Sequence, residues 1–517
     1  MLPLTLLSLA LTADPKVPDT NVVIRGATIH DGSGAKGVVG DVHIKGDRIA
    51  SVGAVGKVDG AKEIDGKGLV VCPGFIDLHT HCDSGVQNKS TKANKNYVTQ
   101  GCTTVVTGNC GSGPVDVATY FKALDTQGIG TNVIHLATHN SIREAVMRNE
   151  NRKPSEAEQK KMESLVDKAM QDGAWGLSTG LIYNPGTYSE TVEIIGLAKA
   201  AHQHGGIYAS HIRDEGSGLL TAIEEAIKIG TESGCPVHIS HIKASGKAAH
   251  GMSTRAVEVI EVARKKGHAV TADQYPYIAS STSLRATVVP SRYREGGQKE
   301  LVARMDDPAT GPKMKADIEK ALDGRDGGKR IQIARYAKNT KWNGNTIAAI
   351  AEMEKKEPID IVMEIERNGG AQVVNFGMSE EDVRVYMKRP WVATASDGGV
   401  QTPGDTVPHP RSYGTFPRKI GKYGIDDKVV SLEQAIRSSS GLPADILQLA
   451  DRGYLKAGHF ADVVVFDPAA YRDTATFEKP HQYAVGVKWV FVNGVAEVEN
   501  GTHKADAFGG RALRHGK

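Results

Sequence analysis

The sequence predicts an α/β protein: a (β/α)8 barrel with a small β-sandwich domain assembled from both chain ends. Three observations carry that reading. Between residues 73 and 439, short apolar runs ending in polar residues alternate with helical stretches such as residues 192–204 and 218–233. Residues 21–72 and 440–505 read instead as short strands separated by Gly-rich turns. The stretch Val70-Val71-Cys72-Pro73-Gly74-Phe75-Ile76-Asp77-Leu78-His79-Thr80-His81, where one texture gives way to the other, ends in His-x-His.

Taken in order, residues 1–20 come first. Met1-Leu2-Pro3-Leu4-Thr5-Leu6-Leu7-Ser8-Leu9-Ala10 is similar to the apolar region of a secretory signal, with a Ser-Leu-Ala cleavage candidate ending at Ala10. No basic residue precedes the run, and it is too short to span a bilayer. The expectation is a signal peptide and export; the alternative is a frayed apolar terminus or a misplaced start codon on a cytoplasmic protein. Strand signals follow at 21–26, 41–44, 48–52 and 68–71, and the same texture returns at 461–467 and 487–494.

In the middle, the apolar runs are residues 75–79, 103–108, 132–138, 174–179, 206–211, 236–241, 269–274 and 391–397. Alternating with helices, they suit a TIM-like barrel. The charged stretch from about 291 to 368 is too long for a loop, so it is read as an inserted subdomain. A ninth apolar run at 371–377 is placed at the end of that insertion.

At 517 residues the chain exceeds one small core. Its composition, 40% hydrophobic and 24% charged, is that of a soluble globular protein. A net charge of +3 argues against nucleic acid or an anionic membrane as partner. The oligomeric state is not legible. The five cysteines, Cys72, Cys82, Cys102, Cys110 and Cys235, are too few and scattered for a disulfide framework, and their odd count leaves a free thiol to act as a ligand.

Alternate residues of a strand share a face, so His79 and His81 would point the same way and could hold one cation. Such pairs also arise by accident, so the other strand ends decide. Functional side chains of a (β/α)8 barrel sit at the C-terminal ends of its strands. Cys110 follows the second run, His211 ends the fifth, His241 the sixth and Asp397 the eighth. With His79 and His81 they place six metal-competent residues on one rim. Cys72, Cys82, Cys102 and Cys235, and His135, His139, His202, His204 and His238, match no such pattern and are read as packing or surface residues.

The motifs Pro73-Gly74-Phe75-Ile76-Asp77-Leu78-His79-Thr80-His81, Gly108-Asn109-Cys110-Gly111, Ser210-His211-Ile212-Arg213, Ser240-His241-Ile242-Lys243, Ala272-Asp273-Gln274-Tyr275-Pro276-Tyr277 and Ser396-Asp397-Gly398 carry a family resemblance. Over nearly its whole length the chain resembles the amidohydrolase superfamily, and within it the N-acyl-D-amino-acid deacylases (D-aminoacylases). The resemblance implies a tight zinc site of Cys110, His211 and His241, and a second, weaker site of His79 and His81 shared with Asp397. Many relatives bridge two metals with a carboxylated lysine at the fourth strand end, where this chain reads Leu177-Ser178-Thr179-Gly180-Leu181. A thiolate from Cys110 can supply the missing negative charge.

The implied reaction is removal of the acyl group from N-acyl-D-amino acids. Zinc would activate water and polarise the carbonyl. Asp397 would carry the proton from water to the departing amine. A free α-carboxylate on the substrate calls for donors outside the metal shell: Lys243, Tyr183 and Tyr275, with Arg411 as a further candidate. Arg285 is a candidate for a second carboxylate on an acidic side chain. A cyclic amide or imide hydrolase, or a dipeptidase, on the same barrel is the alternative, although the absent fourth-strand lysine argues against the dihydropyrimidinase-like members. A non-catalytic scaffold would show eroded ligands, and none is eroded.

Overall fold

The computed structural model describes residues 17–516. The signal-like stretch, with its cleavage candidate at Ala10, lies outside the described residues. Eight strands form the barrel: β1 (Phe75–Asp77), β2 (Cys102–Thr107), β3 (Asn132–His135), β4 (Gly176–Gly180), β5 (Ile207–His211), β6 (Val237–Ile239), β7 (Val270–Gln274) and β8 (Val392–Thr394). Each runs parallel to the next, β3 reaching β4 through its continuation at Ala137–Thr138. The ring closes beyond the strands themselves. The Asp397 N–H donates to the His79 carbonyl at 2.8 Å, and the His81 N–H to the Gly398 carbonyl at 2.7 Å. Two of the candidate site segments therefore form the seam of the barrel.

Helices cover the outside, so the strands are buried on both faces and read as nearly continuous apolar or small-residue runs. The helix Glu156–Gln171 shows how sequence sets such an element. Ser155 and Glu158 form a reciprocal capping box at its start. Met162, Val166, Ala169 and Met170, at helical spacing, form its buried stripe.

Both chain ends build one nine-stranded sheet. Asn21–Ile29, Val38–Lys45, Arg48–Gly53, Lys62–Asp65 and Val70–Pro73 come from the N-terminal side, and Val463–Phe466, Val487–Val492, Val495–Glu499 and Thr502–His503 from the C-terminal side. The two halves join where Val70–Pro73 runs antiparallel to Val463–Phe466. Val71, Val463 and Val465 enter the small domain's own core. Val70, Cys72, Val464 and Phe466 point the other way, into the barrel's core. The pleat thus ties the two units together residue by residue.

Two boundaries differ from the sequence reading. Residues 440–454 do not belong to the β domain: the helix Gly441–Leu447 packs Leu442, Ala444 and Leu447 against Ile76, Leu78 and Ala393 of the barrel. The inserted unit is also wider than 291–368. Its three-stranded antiparallel sheet takes in Ser280–Ser283, Gln372–Asn375 at the centre and Ile331–Arg335. Ser280-Ser281-Thr282-Ser283 carries no apolar residue, so hydrophobic periodicity cannot reveal it as a strand. The ninth apolar run is the central strand of this sheet, over a separate core that includes Leu301, Ile318, Ile331, Ile333 and Val373.

Candidate metal centre

The loop after β2 shows why Gly108-Asn109-Cys110-Gly111 reads as it does. Gly108, Cys110 and Gly111 all have positive φ, and a Cβ on Gly111 would lie 2.1 Å from Asn140 Oδ1. Asn109 pins the turn by donating to the carbonyls of Leu78 at 3.2 Å and Val106 at 3.0 Å. The tight turn holds the Cys110 sulfur over the barrel mouth. His241 (φ 36°) and Asp397 (φ 50°) share this left-handed backbone with Cys110 (φ 52°). Three of the six candidate ligands thus sit on backbone that costs of order 1–3 kcal/mol per residue, a pattern that clusters at functional sites.

All six side chains converge. Cys110 Sγ lies 3.4 Å from His79 Nε2, 3.5 Å from His211 Nδ1 and 3.6 Å from His241 Nε2. Asp397 Oδ1 is 3.7 Å from His79 Nε2 and 3.1 Å from His81 Nε2. Ligand atoms within 4.8 Å of one another form three overlapping trios: Cys110, His211 and His241; His79, His81 and Cys110; His79, His241 and Asp397. His81 is exposed at the rim, whereas the other five are buried.

The electrostatics fit a cation at this point. Burial lowers the His79 and His211 imidazoles well below their ordinary pKa, so both are neutral with free lone pairs. Burial, with Asp397 nearby, pushes the Cys110 thiol well above its ordinary value. A thiolate there needs a compensating cation, and a cysteine among imidazoles is a borderline-soft set of the kind that holds zinc. Burial alone would raise Asp397 too. Arg411 and then the surrounding imidazoles outweigh it and hold the carboxyl well below the usual range.

Carboxylates in or next to the motifs, to which the sequence assigns no role, support the ring. Glu215 Oε1 is 3.1 Å from His241 Nδ1 and 3.7 Å from His211 Nε2, the nitrogens turned away from the cluster. Asp273 Oδ1 accepts from the His241 N–H at 2.6 Å, and its other oxygen takes His238 Nε2 at 2.7 Å and lies 3.9 Å from His79 Nδ1. Asp77 accepts from the N–H groups of His79 and Ser396, which stiffens the seam. Carboxylates behind metal-type imidazoles fix their orientation and raise their basicity. Fixed spacing from a histidine (His211-x-x-x-Glu215) was the available signal.

Around the cluster the substrate candidates fall into place unevenly. Arg411 and Lys243 flank the Tyr275 ring, 4.8 and 5.6 Å from its centre, and the buried Tyr275 hydroxyl has no hydrogen-bond partner among the described residues. Arg411 is not a solvated loop residue: it is buried at a helix start and pairs with Asp397 at 2.8 Å. Lys243 is also committed, to Glu215 and to His241 Nδ1 at 2.7 Å. Tyr183 lies edge-on to His211 with ring centres 5.0 Å apart, its hydroxyl 3.0 Å from Thr282 of the inserted unit. Arg285 is removed from this group, because Glu366 neutralises it at 2.7 Å inside the inserted unit. Cys72, Cys82, Cys102 and Cys235 are buried free thiols. Among the described residues, no helix is long and apolar enough to cross a membrane.

Known proteins are similar to this chain in sequence and fold. Residues 62–496 match the family model described as Amidohydrolase family. D-aminoacylase of Alcaligenes xylosoxydans xylosoxydans is 36% identical over 92% of this chain and 93% of its own. A crystal structure of D-aminoacylase superposes with a TM-score of 0.82 at 34% identity, covering 96% of this chain and all of that one. The N-acyl-D-glutamate deacylase of Bordetella bronchiseptica, solved with zinc and a phosphonate inhibitor that mimics the tetrahedral intermediate, superposes with a TM-score of 0.83 at 31% identity over the same coverage. The chain belongs to the amidohydrolase family and, within it, to the N-acyl-D-amino-acid deacylases, the D-aminoacylases.

Proposed function

We propose that this protein is a zinc-dependent amidohydrolase that removes the acyl group from N-acyl-D-amino acids, releasing a carboxylate and a free D-amino acid. The observation that carries the reading is the set of side chains on the barrel rim: five buried or seam-held metal-type donors around Cys110, with two cations beside them and a tyrosine hydroxyl that has no partner among the described residues. Cys110, His211 and His241 would hold the tighter ion; His79, His81 and Asp397 would serve a second, weaker one. Bound zinc supplies Lewis-acid polarisation of the scissile carbonyl and lowers the pKa of water to about 7.

The chain's own residues do the rest. Asp397, unprotonated because Arg411 and the imidazoles favour its charged form, takes the proton of the attacking water at a carboxylate oxygen and delivers it to the leaving nitrogen. Glu215 keeps the His241 and His211 rings oriented through the reaction, and Asp273 holds the His241 backbone in place. Lys243, Tyr275 and Arg411 orient the substrate by its α-carboxylate, with Tyr183 beside them against His211. The D hand is supported by the relatives' named activities, not by any distance. Metal analysis together with turnover of N-acetyl-D-methionine against its L form tests the proposal; preference for the L form or for a cyclic imide overturns it.

The N-terminal stretch supports export as a further proposal, tested by sequencing the N-terminus of the mature protein from its native compartment.

A further inference from the structure

One side chain outside the metal cluster holds together the turn of a metal-type ligand and the loop of a substrate candidate. Asn140 is the second residue of the helix His139–Met147 and is buried. Asparagine is a poor helix former, and among the described residues none of its side-chain hydrogen bonds goes to the backbone of its own helix. Its amide faces the end of β4 instead. Nδ2 donates to the Gly180 carbonyl at 2.9 Å and to the Tyr183 carbonyl at 3.3 Å, and Oδ1 accepts from the Gly180 N–H at 3.1 Å. Turning the amide over would set nitrogen against an N–H and oxygen against two carbonyls, so its orientation is fixed. Behind it, His139 Nδ1 lies 3.3 Å from the same oxygen, and His139 Nε2 is 3.0 Å from Glu193, which also pairs with Arg143 at 3.0 Å.

Close packing ties the amide to both neighbours. It is wedged between two glycines: a Cβ on Gly111 would lie 2.1 Å from Oδ1, and one on Gly186 2.6 Å from both amide heteroatoms. Gly180, which the amide grips at its N–H and its carbonyl, supports Cys110 in turn, because a Cβ there would lie 2.2 Å from the Cys110 carbonyl oxygen. The Gly111 N–H donates to Ser178 Oγ at 3.1 Å, on the same strand as Gly180. The peptide that carries the Cys110 sulfur thus rests on β4 and on Asn140 itself. On the other side, Asn140 anchors the Tyr183 backbone, while the Tyr183 ring meets His211 and its hydroxyl meets Thr282.

We infer that Asn140 is a positioning residue for the reaction: from one fixed amide it sets the Cys110 sulfur within its metal-type trio and the Tyr183 ring against the substrate, without touching metal or substrate. The inference rests on the function proposed above. Loss of the amide loosens two separable things at once, the grip on zinc through Cys110 and the grip on substrate through Tyr183.

The test reads the two arms separately in Asn140→Ala, with circular dichroism and Tm to check folding. Zinc affinity, by competition with a chelator, should fall about tenfold, the lower end of the range for groups that orient metal ligands. In the cobalt-substituted protein the thiolate-to-cobalt charge-transfer band should shift or weaken. With zinc saturating, KM for N-acetyl-D-methionine should rise about three- to tenfold, as for one loosened hydrogen-bonded partner, and kcat should fall less, because Asp397 is untouched. In a Tyr183→Ala background the same change should raise KM little further, since two residues acting on one contact are not additive. A purely structural role would lower Tm and leave zinc affinity, the cobalt band and KM as in the wild type. That result, an effect confined to one arm, or an additive rise beside Tyr183→Ala overturns the inference. Should Asn140→Ala not fold, Asn140→Asp, which keeps the acceptor and loses both donated bonds, is measured in the same way. Should the wild type hydrolyse no N-acyl-D-amino acid, the proposed function falls. Crystal structures of wild type and Asn140→Ala then decide the second arm, and a Tyr183 that keeps its place against His211 overturns the inference.

Discussion

Arg411 Nη1 lies 2.8 Å from Asp397 Oδ2, while Oδ1 of the same carboxylate faces His81 Nε2 at 3.1 Å. The residue proposed to carry the proton is therefore held at both oxygens, with its backbone in the left-handed region and its N–H tied to His79. A group so constrained presents its carboxylate in one direction, as a proton carrier at the barrel mouth needs. Its strain is balanced by the seam hydrogen bonds that close the barrel.

Asp397→Asn keeps the shape and removes the proton carrier. kcat should fall by roughly two to four orders of magnitude, the usual range for a general acid–base group. Zinc at the Cys110 site should remain, as metal analysis of the variant would show. A near-normal rate would remove Asp397 from the mechanism.

The pair with Arg411 also sets a pH dependence. A base works only when unprotonated, so the acid limb of kcat/KM falls off as Asp397 gains its proton. Burial raises that carboxyl and Arg411 is the main group lowering it. In Arg411→Met burial meets less opposition, the pKa rises, and the acid limb should move to higher pH. A pH–rate profile with the limb unmoved would show that Arg411 does not govern the basicity of Asp397.

Much of this site was legible because each candidate ligand follows an apolar run, and a barrel gathers strand ends on one rim. What escaped depends on contacts that no local pattern records. Asp273 lies inside a recognisable motif and Glu215 two residues past one, yet their roles appear only in the fold, where Glu215 faces the outer nitrogens of His241 and His211 and Asp273 takes the His241 backbone N–H and His238 Nε2. The all-polar strand Ser280–Ser283 has no periodic signal, so the inserted unit looked shorter than it is. Arg285 reads as a candidate in the sequence, and only the buried Glu366 shows that it is taken up elsewhere.

Metal retention separates ligands from their supports. Cys110→Ala should lose the tightly held zinc and the activity together, since it removes the only sulfur and the anionic donor of the trio. Glu215→Gln should keep a site but weaken its zinc affinity about ten- to hundredfold, the usual cost of disturbing a carboxylate behind a metal-type imidazole. Competition with a chelator followed by elemental analysis measures both. Full zinc content in Cys110→Ala would mean that the tight ion sits on His79, His241 and Asp397, the trio without Cys110.

Lys243 gives the sharpest discrimination between two roles. Its ammonium lies near the Tyr275 ring, where a substrate α-carboxylate would meet it, but it also touches Glu215 and His241 Nδ1 behind the metal trio. If it binds the carboxylate, Lys243→Ala loses one charge-assisted bond, about 1.5–3 kcal/mol. kcat/KM for N-acyl-D-amino acids then drops about one to two orders of magnitude. N-acyl amines, which lack the carboxylate, should be poor substrates of the wild type and change little in the variant. If Lys243 instead supports the metal shell through Glu215, both kinds of substrate should lose rate equally and zinc affinity should fall with them. Measuring kcat/KM for the two substrate kinds beside zinc content in one variant therefore assigns the residue. Equal losses would leave Tyr275 and Arg411 as the carboxylate's partners, because their contacts do not pass through Glu215.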